Sequence, residues 1–160
     1  MTKKRTPDFG RPVVGNAIGN DEALRQLAQA RMVDEEHQQR RRDAWPHNSD
    51  DGKINLLAAM SALANSFPGL RGRPGAEPWD AIAMLRYLCT GGGSHGEKLA
   101  ARFVLGVWNS AEDWEATAKK RGIEYPEAAA AKFDVFEAIS TWDDEHRQAF
   151  LTWCEAPFWP

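Results

Sequence analysis

The chain has little of several things, and each shortage removes a class of function. It contains only two cysteines, Cys89 and Cys154, each in an apolar stretch. A disulfide framework is therefore not expected, and both thiols should be buried as small hydrophobes. No apolar run approaches the roughly 18 residues that a membrane-crossing helix needs. The opening "MTKKRTPDFG" is charged, with no apolar core after it, which argues against a signal peptide and for a cytoplasmic location. An excess of one charge is also missing, since 20 basic and 23 acidic side chains leave a net charge of −3. Nucleic acid or an anionic membrane would exert no global pull on such a chain.

Strand patterning is scarce too. No segment alternates apolar and polar residues with β-branched enrichment, so strands should be absent or trivial. Four histidines, His37, His47, His95 and His146, are scattered, and there is no Glu-x-x-His pair of the kind a di-iron helical bundle requires. A nucleophilic cysteine needs a histidine base and an orienting group. His95 lies near Cys89 in sequence only. The sequence therefore predicts no metal, no cofactor and no catalytic signature.

One stretch invites a richer interpretation, "TGGGSHGEKLAARFVLGVW" from Thr90 to Trp108. A phosphate-binding loop needs lysine and a hydroxyl after its last glycine. Gly91 and Gly96 have the right gap, but Glu97 and Lys98 occupy those two positions, and a carboxylate would repel phosphate. A helix-turn-helix needs a recognition helix with polar side chains for the groove. Here "EKLAARFVLGVW" offers at most Glu97, Lys98, Ala101 and Arg102. The remaining reading is a corner between two helices. Glycine supplies the turn, and Ser94 with Glu97 forms a capping box for the helix that follows.

What the chain does have is bulk. Seven tryptophans, seven phenylalanines and two tyrosines provide large apolar surfaces for a core. Residues 1–19 hold two prolines, three glycines and four basic side chains, Lys3, Lys4, Arg5 and Arg11, and read as an irregular basic arm. Asn20 is a plausible N-cap, followed by an apolar stripe of Leu24, Leu27, Ala28 and Met32. The run "DEEHQQRRRD" has no apolar residue, so that helix either frays there or faces solvent. Further helices are expected over about Lys53–Asn65, Trp79–Cys89 and from Ser94 to Trp108. Another follows Ser110 and Asp113 and ends before Gly122. One starting at Pro126 should place Phe133, Phe136 and Ile139 inside. The last starts at Thr141 and buries Trp142, Ala149, Phe150 and Trp153. In the tail, Phe158 and Trp159 are expected to fold back. The expectation is an all-α fold, a compact single-domain bundle of about six or seven helices over residues 20–160, preceded by the arm over 1–19.

Charge is polarised along this bundle. Residues 109–160 carry 11 acids and 5 bases, whereas residues 1–108 carry 12 acids and 15 bases. The sequence thus predicts a small non-enzymatic binding protein, an adaptor or inhibitor of the kind phages and plasmids carry. Another protein would be its partner, met through Glu112, Asp113, Glu115, Asp143, Asp144 and Glu145 by charge-steered docking and burial of a few aromatic anchors. The alternative is a nucleic-acid-binding accessory protein using Arg40, Arg41, Arg42, Arg71 and Arg73 together with the basic arm. Those basic positions lack interleaved exposed aromatics beyond Trp45, so a solvated charged face is the simpler explanation. An enzyme whose site assembles from distant residues is also compatible with one sequence.

Overall fold

The computed structural model describes residues 17–46, 53–90, 92–130 and 132–160. Among them the fold is all-α, with no extended strand. The chain divides into two compact units, Met1–Glu36 and His37–Pro160.

The first unit is described from Ala17, where helix α1 (Ala17–Ala44, 28 residues) begins. Asn20 therefore falls inside the helix and is not its N-cap. The stripe Leu24, Leu27 and Met32 is exposed, as is Val33, so helical spacing alone did not imply a buried face. Abundant Ala, Gln, Arg, Glu and Leu favour the helix through propensity. Residues 1–16, which hold most of the basic arm, lie outside the described residues.

In the second unit, α1 runs on through the all-polar segment to Ala44 without fraying, exposed wherever its side chains are described. Helix α2 (Leu56–Ser66) is opened by the Asn55 side chain, which accepts the Ala58 N–H, and it buries Ala59, Met60, Leu63 and Ala64. A short 3₁₀ turn (Pro68–Leu70) leads to a proline-glycine loop. Helix α3 (Ala81–Cys89) starts two residues later than expected because Asp80 caps its first turn. The Asp80 carboxylate accepts the Ile82 and Ala83 amides.

Helix α4 (His95–Trp108) lies at the centre of this unit and packs on α2, α3 and the 3₁₀ turn. Its buried face runs from Leu99 to Leu105 and includes Ala101 and Arg102, both expected at the surface. Helix α5 (Trp114–Lys120) is capped by Asp113 rather than by Ser110. It ends as expected at Gly122, whose φ is +64°. The Gly122 and Ile123 amides donate to Lys119 and Ala118 carbonyls, a two-bond closure that holds the helix end.

The single helix expected after Pro126 is instead broken. Helix α6 (Glu127–Ala130) stops, and Asp134 caps a new helix, α7 (Val135–Thr141). The restart resets the helical phase. Phe133 packs against the core, but Phe136 and Ile139 turn outward, at 82% and 47% exposure. Helix α8 (Asp144–Glu155) is capped by Asp143, while Thr141 closes α7.

An aromatic cluster binds these helices together. Trp142 packs on Phe67, Phe133, His146 and Phe150, and Phe103 packs on Phe67, Phe150 and Trp153. Rings 5–6 Å apart in tilted or edge-on pairs add roughly 0.5–1.5 kcal/mol each beyond burial. Trp45, expected at the surface, is buried. Its indole N–H donates to the Ala156 carbonyl at 2.6 Å, and its ring meets Phe158 edge-on at 4.9 Å. Phe158 thus folds back as expected, and Trp159 lies edge-on to Trp153 while keeping one side in solvent.

Candidate functional site

The glycine stretch is a corner, held from within. Ser94 Oγ accepts the Glu97 amide, and the Glu97 carboxylate accepts the Ser94 amide at 3.1 Å. The same carboxylate oxygen accepts the Tyr87 hydroxyl at 3.0 Å, and Arg73 approaches it at 3.9 Å while lying over the Tyr87 ring. Burial first, then the nearby Glu97 carboxylate, pushes the Tyr87 phenol above its ordinary value. Gly93 has φ +94°, and a methyl there would meet Glu97 Oε2 and the Tyr87 hydroxyl. Among the described residues, the Ser94, Glu97 and Tyr87 groups of this corner are committed to one another.

The basic candidates are similarly engaged where they are described. Arg71 Nε donates to the Asn65 carbonyl, and Arg73 Nε donates to the Gly69 carbonyl. Arg40 is exposed on α1. The side chains of Arg41 and Arg42, like Lys3, Lys4, Arg5 and Arg11, lie outside the described residues.

The acidic candidates fall at two helix starts. At α5, Asp113 caps the helix, and Glu112 accepts the Asn109 amide and the Thr117 hydroxyl, leaving Glu115 exposed beside them. At α8, Asp143 accepts both the His146 amide at 2.9 Å and the imidazole Nδ1 at 2.7 Å. Those hydrogen bonds, backbone first, hold the Asp143 carboxyl below its ordinary value. His146 Nε2 is buried against Phe67 and Trp142 with no hydrogen-bond partner. Asp144 pairs with Arg147 at 3.0 Å, and Glu145 is exposed.

Arg147 also donates from Nε to the Ile139 carbonyl at 3.0 Å. This bond ties the acidic first turn of α8 to the helix that carries Phe136 and Ile139. On a helix, positions 136 and 139 share a face. Phe136 and Ile139 are thus exposed on one face of α7, and the acidic start of α8, Asp143, Asp144 and Glu145, follows in the chain. The sequence hid this patch because the break before Asp134 was not recognised.

A second feature was not visible in sequence either. A cleft of about 550 Å³ lies between α4 and the segment from Asn109 to Phe133. Arg102, Leu105 and Gly106, one turn of α4, form one wall, and Leu88, Trp114 and Phe133 supply apolar lining. Tyr125 also lines it and donates its hydroxyl to the Ala129 carbonyl. Gly106 sits inside the helix, where glycine costs about 1 kcal/mol relative to alanine. Among the described residues, no atom packed against the helix lies within 4 Å of where its Cβ would stand.

Thiol chemistry has no support from the surroundings. Burial lifts the Cys89 thiol above its ordinary value. Cys154, expected to be buried, is exposed on α8, and partial desolvation with Glu155 raises its thiol too. Among the described residues, no group of three or more His, Cys, Asp or Glu is placed to hold a metal ion, and no helix is long and apolar enough to cross a membrane. The chain was compared with family models, curated proteins and solved structures, and nothing among them matches it.

Proposed function

We propose that this chain is a non-enzymatic protein-binding module, an adaptor or inhibitor, whose contact surface is the α7–α8 corner. The observation that carries the reading is Phe136, a large ring left 82% exposed on an ordered helix. Exposed aromatics of this kind dominate binding when a partner's pocket desolvates them. Ile139, three residues on, is exposed on the same helical face, and the exposed acids Asp143, Asp144 and Glu145 follow at the start of the next helix. The matching partner is a protein with an apolar socket rimmed by lysine or arginine. The acidic rim steers the encounter and Phe136 supplies the anchor, so charge governs the association rate and the ring governs the lifetime.

Affinity capture from nuclease-treated native lysate tests this with three baits, the wild type, Phe136→Ala and the double variant Asp144→Lys/Glu145→Lys. The expected result is one stoichiometric protein held by the wild type and lost by Phe136→Ala. The double variant should associate more slowly at low salt. A partner held equally by wild type and Phe136→Ala overturns the assignment of this surface. Nucleic acid as the sole captured species in an untreated lysate, with affinity falling steeply with salt, would move the function to Arg40, Arg71 and Arg73.

A further inference from the structure

The cleft beside α4 has a feature that folding alone does not explain. Gly106 weakens its own helix, yet among the described residues no packed atom lies within 4 Å of where a Cβ there would stand. One turn earlier on the same wall stands Arg102, a cation that is only 9% exposed. Apolar surface from Leu88, Leu105, Trp114 and Phe133 surrounds the gap. Glu112, Asp113 and Glu115 line the same cleft as Arg102 and Lys132. Glu112 and Asp113 already accept hydrogen bonds from their own segment, so Glu115 is the acid best placed to meet a newcomer.

We infer that this cleft is a binding site for a small zwitterion with an apolar body, of the free amino-acid class. The ligand carboxylate meets Arg102, whose planar guanidinium suits that group. The ligand ammonium faces the acidic side at Glu115. The apolar body occupies the space opened by Gly106, between Trp114 and Phe133. A site that combines a few charged groups with apolar walls is the usual composition of a small-molecule pocket. Both charges of the ligand are needed, because each meets its opposite within one cleft.

L-phenylalanine is the probe, with 3-phenylpropionate and phenethylamine as its two half-charged analogues. Binding is measured by calorimetry and by ligand-observed NMR on the full chain. The expected result is a Kd of about 1 mM or tighter for phenylalanine, at least about tenfold weaker for either analogue. Gly106→Leu directs a side chain into the cleft from a Cβ position that meets no packed atom of the described residues within 4 Å, so it should keep its helical circular dichroism and lose binding. Arg102→Met should lose binding as well, and the Gly106 variant keeps the test valid if Arg102→Met does not fold. No binding of phenylalanine at ten times that concentration overturns the proposal. So does binding that survives Gly106→Leu, or an analogue that binds as tightly as phenylalanine. Capture through Phe136 and ligand binding here are read on different residues, so either result stands without the other.

Discussion

Two helix corners in the second unit are built from similar materials and end differently. At the α3–α4 corner, Glu97 collects the Ser94 amide, the Tyr87 hydroxyl and the Arg73 guanidinium, and Gly93 gives them room. At the α7–α8 corner, Trp142 is driven inward, with its indole N–H on the Gly96 carbonyl, while Phe136 and Ile139 are left outside. The first corner satisfies itself. The second fixes its position with one buried ring and presents the others. The contrast teaches that a glycine-rich sequence can mark rigidity, and an ordinary aromatic segment can mark the surface available for contact.

The most disruptive way to break this contrast is Trp142→Ala. Removing a large ring that is 1% exposed at the heart of the aromatic cluster should cost about 3–5 kcal/mol. Chemical denaturation measures it, and a cost below about 1 kcal/mol would show that the cluster does not hold the corner. Glu97→Ala comes next. It leaves the Tyr87 hydroxyl and the Ser94 amide without their shared acceptor, for an expected loss of about 1–3 kcal/mol. Glu97→Gln should recover part of it, because an amide oxygen still accepts.

A smaller effect concerns pH at the second corner. Asp143 has a folded-state pKa below its ordinary value. Its contribution is therefore complete above the unfolded value of about 3.9 and fades as pH falls through the lower folded value. Asp143→Asn keeps a side-chain acceptor for the cap but cannot titrate. Its stability should lose less than the wild type's across that acid range, and parallel pH profiles would remove Asp143 from the acid response. The smallest effect belongs to Phe136→Ala. With the ring mostly in solvent, stability should move by no more than about 0.5 kcal/mol. A loss above about 1 kcal/mol would mean that Phe136 packs in solution and that the contrast between the corners is overstated.

Local signals in the sequence served well where the physics is local. The Ser94–Glu97 capping box and the Gly122 helix end depend on residues a few positions apart, and both stand as expected. Helix starts at Ser110 and Thr141 were misplaced for one shared reason. An aspartate just downstream of a hydroxyl residue is itself a good cap, and Asp113, three residues after Ser110, and Asp143, two after Thr141, take that role. Phe136 and Ile139 face outward, against the expectation, because the helix restarts at Asp134 and shifts its phase. Trp45 was missed because its partners, Ala156 and Phe158, are more than a hundred residues away. The apolar stripe of α1 marks the opposite limit, since periodicity describes a face without saying what covers it. Most of the acidic residues serve their own helix starts, and the exposed face of Phe136 and Ile139 is not visible without the fold. The cleft at Arg102 was hidden likewise, because Arg102 looked like a surface residue on its helix.

The contact between Trp45 and the C-terminal residues carries a kinetic consequence. Its hydrogen bond spans 111 residues, whereas the Trp142 indole reaches Gly96 across 46. Loop closure over the longer span costs only about 0.8 kcal/mol more. Trp45, however, rests on Phe158, while Trp142 is surrounded by Phe67, Phe133, His146 and Phe150. Local opening follows the weaker attachment. The Trp45 indole proton should therefore exchange with deuterated solvent well before that of Trp142, so that the seam between residue 45 and the tail opens ahead of the Trp142 cluster.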